Sequence, residues 1–311
     1  MALSGITLVL KFILIAIGVI VLGLVTSWID RKVTARVHAR VGPPWFQPIA
    51  DILKLLGKET LAPEGSGRNV FLMAPVFGFA GMIFASVLLV HVMLWPEQGF
   101  VGDVIVLVYL LVIPAIGLMI GASASGNPIA AVGASREMKM MLGYELPYLI
   151  VVITVIMKSG FDFRMGSIID SQVMGGVHIG SLSGVLGFVV LLLCAQAKLG
   201  LVPFDAPEAE QEIMGGIITE YSGPPLAIIK ITKAMLLAVI PLFIVGLLMG
   251  GIHLEGLSIL WAILKYVGII VLIVLIRNTN PRVRIDQALR FFWGPVTLLA
   301  LVGLALAYVG L

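Results

Sequence analysis

Long apolar runs of roughly twenty residues recur along this chain, and no other feature constrains it as much. Eight such stretches fall at about 6–28, 70–94, 104–124, 139–157, 179–198, 226–249, 256–276 and 291–310. A helix needs about 20 apolar residues to cross the roughly 30 Å hydrocarbon core of a bilayer. Each stretch is apolar around its whole circumference, whereas the strands of a membrane barrel alternate with period two. The pattern predicts an all-α polytopic membrane protein with about eight transmembrane helices, a single integral membrane domain over 1–311. Composition agrees: 60% of residues are hydrophobic and 12% charged, against about 25% charged in a soluble domain. The first stretch is too long for a signal peptide and lacks a small-residue cleavage site, so it reads as a retained helix.

The net charge of +3 says little, but its distribution orients the chain. Arg31, Lys32, Arg36, Arg40, Lys54, Lys58 and Arg68 follow the first stretch. Arg136 and Lys139 follow the third, Lys198, Lys230 and Lys233 the fifth, and Arg277, Arg282, Arg284 and Arg290 the seventh. The alternate connections hold Lys158 and Arg164, while Lys11 and Lys265 fall inside spans. By the positive-inside rule the basic loops are cytoplasmic, and an even helix number puts both termini outside. The large cytoplasmic loops are then about 29–69 and 199–225, after helices 1 and 5. Residues 158–178, rich in Gly and Ser, read as a plain surface connection. Phe46 to Thr60 carries Ile49, Ile52, Leu53 and Leu56 at helical spacing, an amphipathic helix that lies on the membrane or docks a partner.

Metal, haem and nucleotide chemistry find little support. His38, His91, His178 and His253 share no ligand spacing, and Cys194, the single cysteine, holds neither a disulfide nor an iron–sulfur cluster. No phosphate-binding glycine loop or nucleophile triad is present, and no nucleic-acid partner is expected. The chain itself is read as non-catalytic and free of cofactors.

Buried acids carry the chemistry instead. Glu145 lies inside the fourth stretch, in Gly143-Tyr144-Glu145-Leu146-Pro147. An ionised carboxylate at that depth costs several kcal/mol unless it is paired or protonated. It serves either as a proton carrier or as neutral glue between helices. Pro203 to Glu220 concentrates Asp205, Glu208, Glu210, Glu212 and Glu220. Glu208 and Glu212, four apart, are expected on one helix face, where repulsion favours proton sharing. The apolar residues that follow point to a packed segment, for proton handling or docking. Lys265, midway along the seventh stretch, either snorkels or joins a polar track with an intramembrane acid. Lys11 and Glu255, nearer the interfaces, need no special role.

Four motifs in order, covering essentially the whole chain, resemble one family. They are Asp30-Arg31-Lys32 through Arg40-Val41-Gly42-Pro43-Pro44 into Ala50-Asp51-Ile52-Leu53-Lys54; Gly143-Tyr144-Glu145; Pro203-Phe204-Asp205-Ala206-Pro207-Glu208-Ala209-Glu210, closing with Glu220-Tyr221-Ser222-Gly223; and Pro281-Arg282-Val283-Arg284. The sequence is similar to the membrane subunit of complex I (NADH:quinone oxidoreductase) that meets the peripheral arm. It is more similar to the counterpart in energy-converting membrane-bound [NiFe] hydrogenases and their sulfur-reducing sister complexes. Pro44 stands where the quinone branch has Asn, and Lys198 and Leu201 stand where it carries Glu and Arg ahead of the PFD motif.

The resemblance implies a non-catalytic anchor and coupling subunit of a ferredoxin-linked oxidoreductase complex in the cell membrane. The expected partners are a [NiFe] hydrogenase-like large subunit, an iron–sulfur small subunit and antiporter-like membrane subunits. The NiFe centre and iron–sulfur clusters belong to those partners, and ferredoxin donates the electrons. Glu145, Asp205, Glu208, Glu210, Glu212, Glu220 and Lys265 form the implied proton relay toward proton or sodium translocation. Arg31, Lys32, Arg36, Arg40, Pro203, Phe204, Arg282 and Arg284 form the implied docking face. The alternatives are a quinone-site subunit, a sulfur-reducing subunit, a stand-alone proton-coupled transporter and a purely structural anchor.

Overall fold

The structure is a computed structural model that describes residues 2–252 and 256–310; His253 and Glu255 lie outside the described residues. In chain order the helices are α1 (Ala2–Val37), α2 (Gln47–Leu56), α3 (Arg68–Leu94), α4 (Asp103–Leu110), α5 (Ile113–Ala124), α6 (Pro128–Lys158) and α7 (Met165–Gly175). They continue as α8 (Leu182–Lys198), α9 (Glu210–Ile213), α10 (Gly223–Leu248), α11 (Ser258–Thr279), α12 (Ile285–Phe291) and α13 (Thr297–Val309). No strand occurs among the described residues.

Among the described residues, seven helical segments are long and apolar enough to cross a membrane: Ile6–Val37, Arg68–Leu94, Asp103–Ala124, Pro128–Lys158, Gly223–Leu248, Ser258–Thr279 and Ile285–Val309. The remaining apolar stretch, the fifth, forms α8, which has 17 residues, about 25 Å at 1.5 Å per residue. The chain is a multi-pass membrane protein.

Three helices overrun their apolar stretches. α1 has 36 residues, about 54 Å against a core of about 30 Å. Arg31, Lys32 and Arg36 therefore ride on its rigid end instead of in a loop. α6 starts at Pro128, where the Asn127 side chain accepts from Ile129 N–H at 2.8 Å and proline fills the first helical position. Arg136, Glu137 and Lys139 are thus helical, as are Lys230 and Lys233 on α10. The third stretch is divided: Pro114, which lacks an N–H, opens α5 just after α4 ends. The connection 158–178 is no plain loop. It contains α7, whose Met165, Ile168 and Ile169 are buried, and whose Gln172 Nε2 donates to Gly246 O at 3.0 Å. Its apolar spacing is helical, but glycine and serine at both ends mask it.

Lipid tails are as apolar as leucine, so close packing and internal hydrogen bonds hold such a bundle together. α10 is its axis, buried along most of its length and packed against α1, α3, α7, α8 and α11. Small residues let backbones meet. A Cβ on Gly23 of α1 would lie 2.8 Å from Ala234 O, and one on Gly117 of α5 would lie 2.8 Å from Ala74 O. α2 leaves Ile49, Leu53 and Leu56 exposed along one face, while Arg31 pairs with Asp51 at 2.7 Å on the other.

Candidate relay site at the basic end of the bundle

The centre of the site is an ion pair that joins two helices. α8 ends at Lys198, and Gln196 Nε2 fixes the following turn by donating to Val202 O at 2.7 Å and Ile273 O at 3.3 Å. The Lys198 side chain is 3% exposed, and its Nζ donates to Glu145 Oε1 on α6 at 2.7 Å. The same ammonium lies 4.4 Å from the centre of the Tyr148 ring and 5.5 Å from that of Tyr144. Removing two charges from water costs several kcal/mol per ion unless both are paired. Here a carboxylate and two aromatic faces supply that compensation. Tyr144 Oη is buried without a hydrogen-bond partner in the same pocket.

Lys198 also reaches a second compartment. With Glu137 of α6, Glu208 and Lys233 of α10, it lines a narrow chamber walled by Pro75, Pro114 and other apolar residues. The chamber has about 40 Å³ of space for water, enough for about three molecules at roughly 10–15 Å³ each. Glu137 and Glu145 stand eight positions apart on α6, about 12 Å along its axis. Lys198 faces both.

A wider vestibule adjoins the chamber, with about 390 Å³ of room, lined by Arg31, Asp205, Glu210, Lys230, Arg277 and Arg282 among others. Glu208 and Lys233 form an ion pair and, with Leu199 and Gly200, line both spaces, so the pair stands at the boundary between them. Asp205 pairs with Arg282 at 2.9 Å, and Asp30 with Arg277 at 2.8 Å. Burial raises the Asp205 carboxyl above the ordinary range, although the Arg282 charge pulls the other way. Asp51 on α2 behaves oppositely: burial pushes it up, but hydrogen bonds from Arg31 and Gln47 outweigh that and leave it lowered.

The acidic segment departs from its expected form. Glu208 ends a short turn, Ala209 is extended, and Glu210–Ile213 forms a separate single turn of helix. Glu208 and Glu212 therefore do not stack on one face. Each meets its own base, Glu208 with Lys233 and Glu212 with Arg136. Glu220 accepts a hydrogen bond from Asn127 Nδ2, and Glu210 is exposed at the vestibule. The segment is pressed onto α6: a Cβ on Gly133 would lie 2.5 Å from Ile217 N. Tyr221 anchors its far end by stacking on Phe71 at 4.3 Å and donating to Phe71 O at 3.1 Å.

Two sequence expectations are corrected. Among the described residues Lys265 pairs with no acid; its Nζ donates to Met249 O at 2.6 Å, at the C-terminal end of α10, away from Glu145 and the 205–220 acids. Pro203 and Phe204 present no docking surface, because both are buried, with Phe204 packed on Phe292 at 4.7 Å and Phe291 at 5.8 Å. Arg36, Arg40 and Arg284 are exposed, Lys32 partly so. Sequence reasoning missed Glu137 and Lys198 as members of the site. A lysine ending an apolar run reads as an interface anchor, and Glu137 reads as a solvated neighbour of Arg136.

A family model described as NADH dehydrogenase matches residues 10–308. The chain belongs to the NADH dehydrogenase family. Among its relatives, the NADH-quinone oxidoreductase H subunit of Anoxybacillus flavithermus is 35% identical, covering 94% of this chain and 92% of that protein. A second NADH-quinone oxidoreductase relative of the same type, from Syntrophobacter fumaroxidans, is 30% identical, covering 97% and 93%. A chain in the solved structure of the membrane-bound sulfane sulfur reductase, described as an archaeal respiratory membrane complex, superposes with a TM-score of 0.85. It is 30% identical, with 96% of this chain and 98% of that one covered. This family member is accordingly a membrane subunit of a complex of the complex I or sulfane sulfur reductase type.

Proposed function

We propose that this chain anchors the peripheral redox arm of a ferredoxin-linked, energy-converting complex of the hydrogenase and sulfur-reductase branch. In that reading it relays redox energy to ion translocation. The observation that carries the reading is the buried Lys198–Glu145 pair, which adjoins a vestibule through a water-sized chamber bordered by Glu208–Lys233. The exposed bases Arg36, Arg40 and Arg284 make the basic end the docking face, turned to the cytoplasm. The NiFe centre and iron–sulfur clusters sit in the partner large and small subunits.

The mechanism is electrostatic. A charge change in the docked arm alters the potential at Asp205 and Glu208. At an effective dielectric of about 20, one charge 4 Å away is worth about 4 kcal/mol, about a thousandfold in proton occupancy. Proton uptake on Glu208 loosens its hold on Lys233 and opens the boundary. Glu137 exchanges a proton through chamber water, the field at Lys198 changes, and Glu145 passes the shift laterally to antiporter-like neighbours. Neither Lys265 nor the exposed Glu210 is required for this step.

A quinone-site role is the second reading, favoured by the names of the NADH-quinone oxidoreductase relatives and by the size of the vestibule. Against it, Lys198 and Leu201 replace the Glu and Arg typical of that branch. The metal content of the complex purified through this chain in mild detergent separates the readings. Nickel near one atom per complex supports the hydrogenase arm, and iron without nickel supports the sulfur-reducing arm. A complex that retains quinone and lacks nickel supports the second reading, and a chain that purifies alone overturns the anchor role.

A further inference from the structure

The relay makes no use of the cleft between α1 and α3 at the end of the bundle opposite the basic loops. Its floor is apolar, formed by Leu8, Phe12 and Ile15 of α1 and by Phe84 and Leu88 of α3, with the Phe12 and Phe84 rings 5.7 Å apart. It offers about 500 Å³ of room. Its rim is polar, with Lys11, His91 and Gln98. Lys11 Nζ lies 4.5 Å from the centre of the Trp95 ring, and His91 rests against the same ring at 5.2 Å while hydrogen-bonding Gln98.

Lys11 is exposed and sits nine positions inside α1 (Ala2–Val37), about 14 Å along the helix from its first residue. Among the described residues no carboxylate pairs with it. Glu97, the acid nearest to the rim in sequence, is exposed and forms no ion pair with it. A lipid-facing cation at that depth is costly without a counter-ion. The aromatic ring stabilises it only in part.

We propose that this cleft binds an anionic phospholipid, with its phosphate on Lys11 beside His91 and Gln98 and an acyl chain along the Phe12–Phe84 floor. A free phosphate ion satisfies only the rim and leaves the apolar floor empty, so charge and groove together select a lipid.

The complex is purified in mild detergent and reconstituted into nanodiscs of phosphatidylcholine with a minor fraction of phosphatidylglycerol. After a delipidating wash, the retained headgroups are counted by mass spectrometry. The wild type is expected to retain phosphatidylglycerol over phosphatidylcholine. Lys11→Gln is expected to retain about fivefold less, the weight of about 1 kcal/mol per basic residue near an anionic surface, and Lys11→Arg to restore retention. Equal retention by Lys11→Gln overturns the proposal, as does equal retention of the two headgroups. A helix of an adjoining subunit filling the cleft in a map of the complex overturns it too.

Discussion

Replacing Lys198 with methionine removes the cation from a buried pair while keeping most of the side-chain volume. At 2.7 Å and an effective dielectric of about 20, the lost attraction to Glu145 is roughly 6 kcal/mol before desolvation is subtracted. Breaking one partner of a buried pair costs about 3–5 kcal/mol if the other charge stays. Replacing both by neutral groups of similar volume is close to neutral. Lys198→Met alone should therefore destabilise the complex by about 3 kcal/mol. Lys198→Met combined with Glu145→Gln should recover most of that loss. The assay is a double-mutant cycle on thermal unfolding of the detergent-solubilised complex. A coupling energy near 3 kcal/mol is expected. Additive effects, within about 0.5 kcal/mol, would refute the reasoning, because the pair would then carry no mutual stabilisation.

Other perturbations separate the buried site from its surroundings. Gly133→Ala places a methyl 2.5 Å from Ile217 N, so the acidic segment must shift, at about 1–3 kcal/mol of stability; an unchanged melting temperature contradicts the close approach. Glu212→Gln breaks the more exposed pair with Arg136 and should cost under about 1 kcal/mol; a loss comparable to that of Lys198→Met contradicts the ranking. Burial first, and then the Lys158 charge, hold His178 down to about 4 from 6.5. Between those values the unfolded chain binds more protons, so stability rises with pH. The contribution is fully present above about 6.5 and lost as pH falls through about 4, roughly 2 kcal/mol after solvent screening. His178→Gln should flatten that slope in pH-dependent melting, and an unchanged slope contradicts it.

Much of the fold was legible because a bilayer leaves the backbone few choices: an apolar run of twenty residues must be a helix. α2 and the acidity of the 205–220 segment were legible for similar local reasons. Helix ends were less so. α1, α6 and α10 continue into charged sequence, because nothing in Asp30-Arg31-Lys32 or Arg136-Glu137 breaks a helix once tertiary packing supports it. Glu145 announced itself by its cost in an apolar span, but its partner did not. Lys198 lies 53 positions away at the end of another apolar run, a place where lysine ordinarily anchors a helix at the interface. Pairing across helices is set by the packing of α6 on α8, which periodicity does not encode. The acidic segment failed as a single helix for a local reason, since Ala209 is extended between two short turns and sends Glu208 and Glu212 to different bases.

The central claim is that charge passes through Glu145 on its way from the docked arm to the ion-translocating neighbours. Membrane vesicles that carry the complex with Glu145→Gln, driven by reduced ferredoxin, test it by recording acceptor reduction and ion uptake together. The account predicts acceptor reduction within about twofold of wild type and ion uptake per electron reduced at least tenfold. Unchanged ion uptake per electron would contradict it.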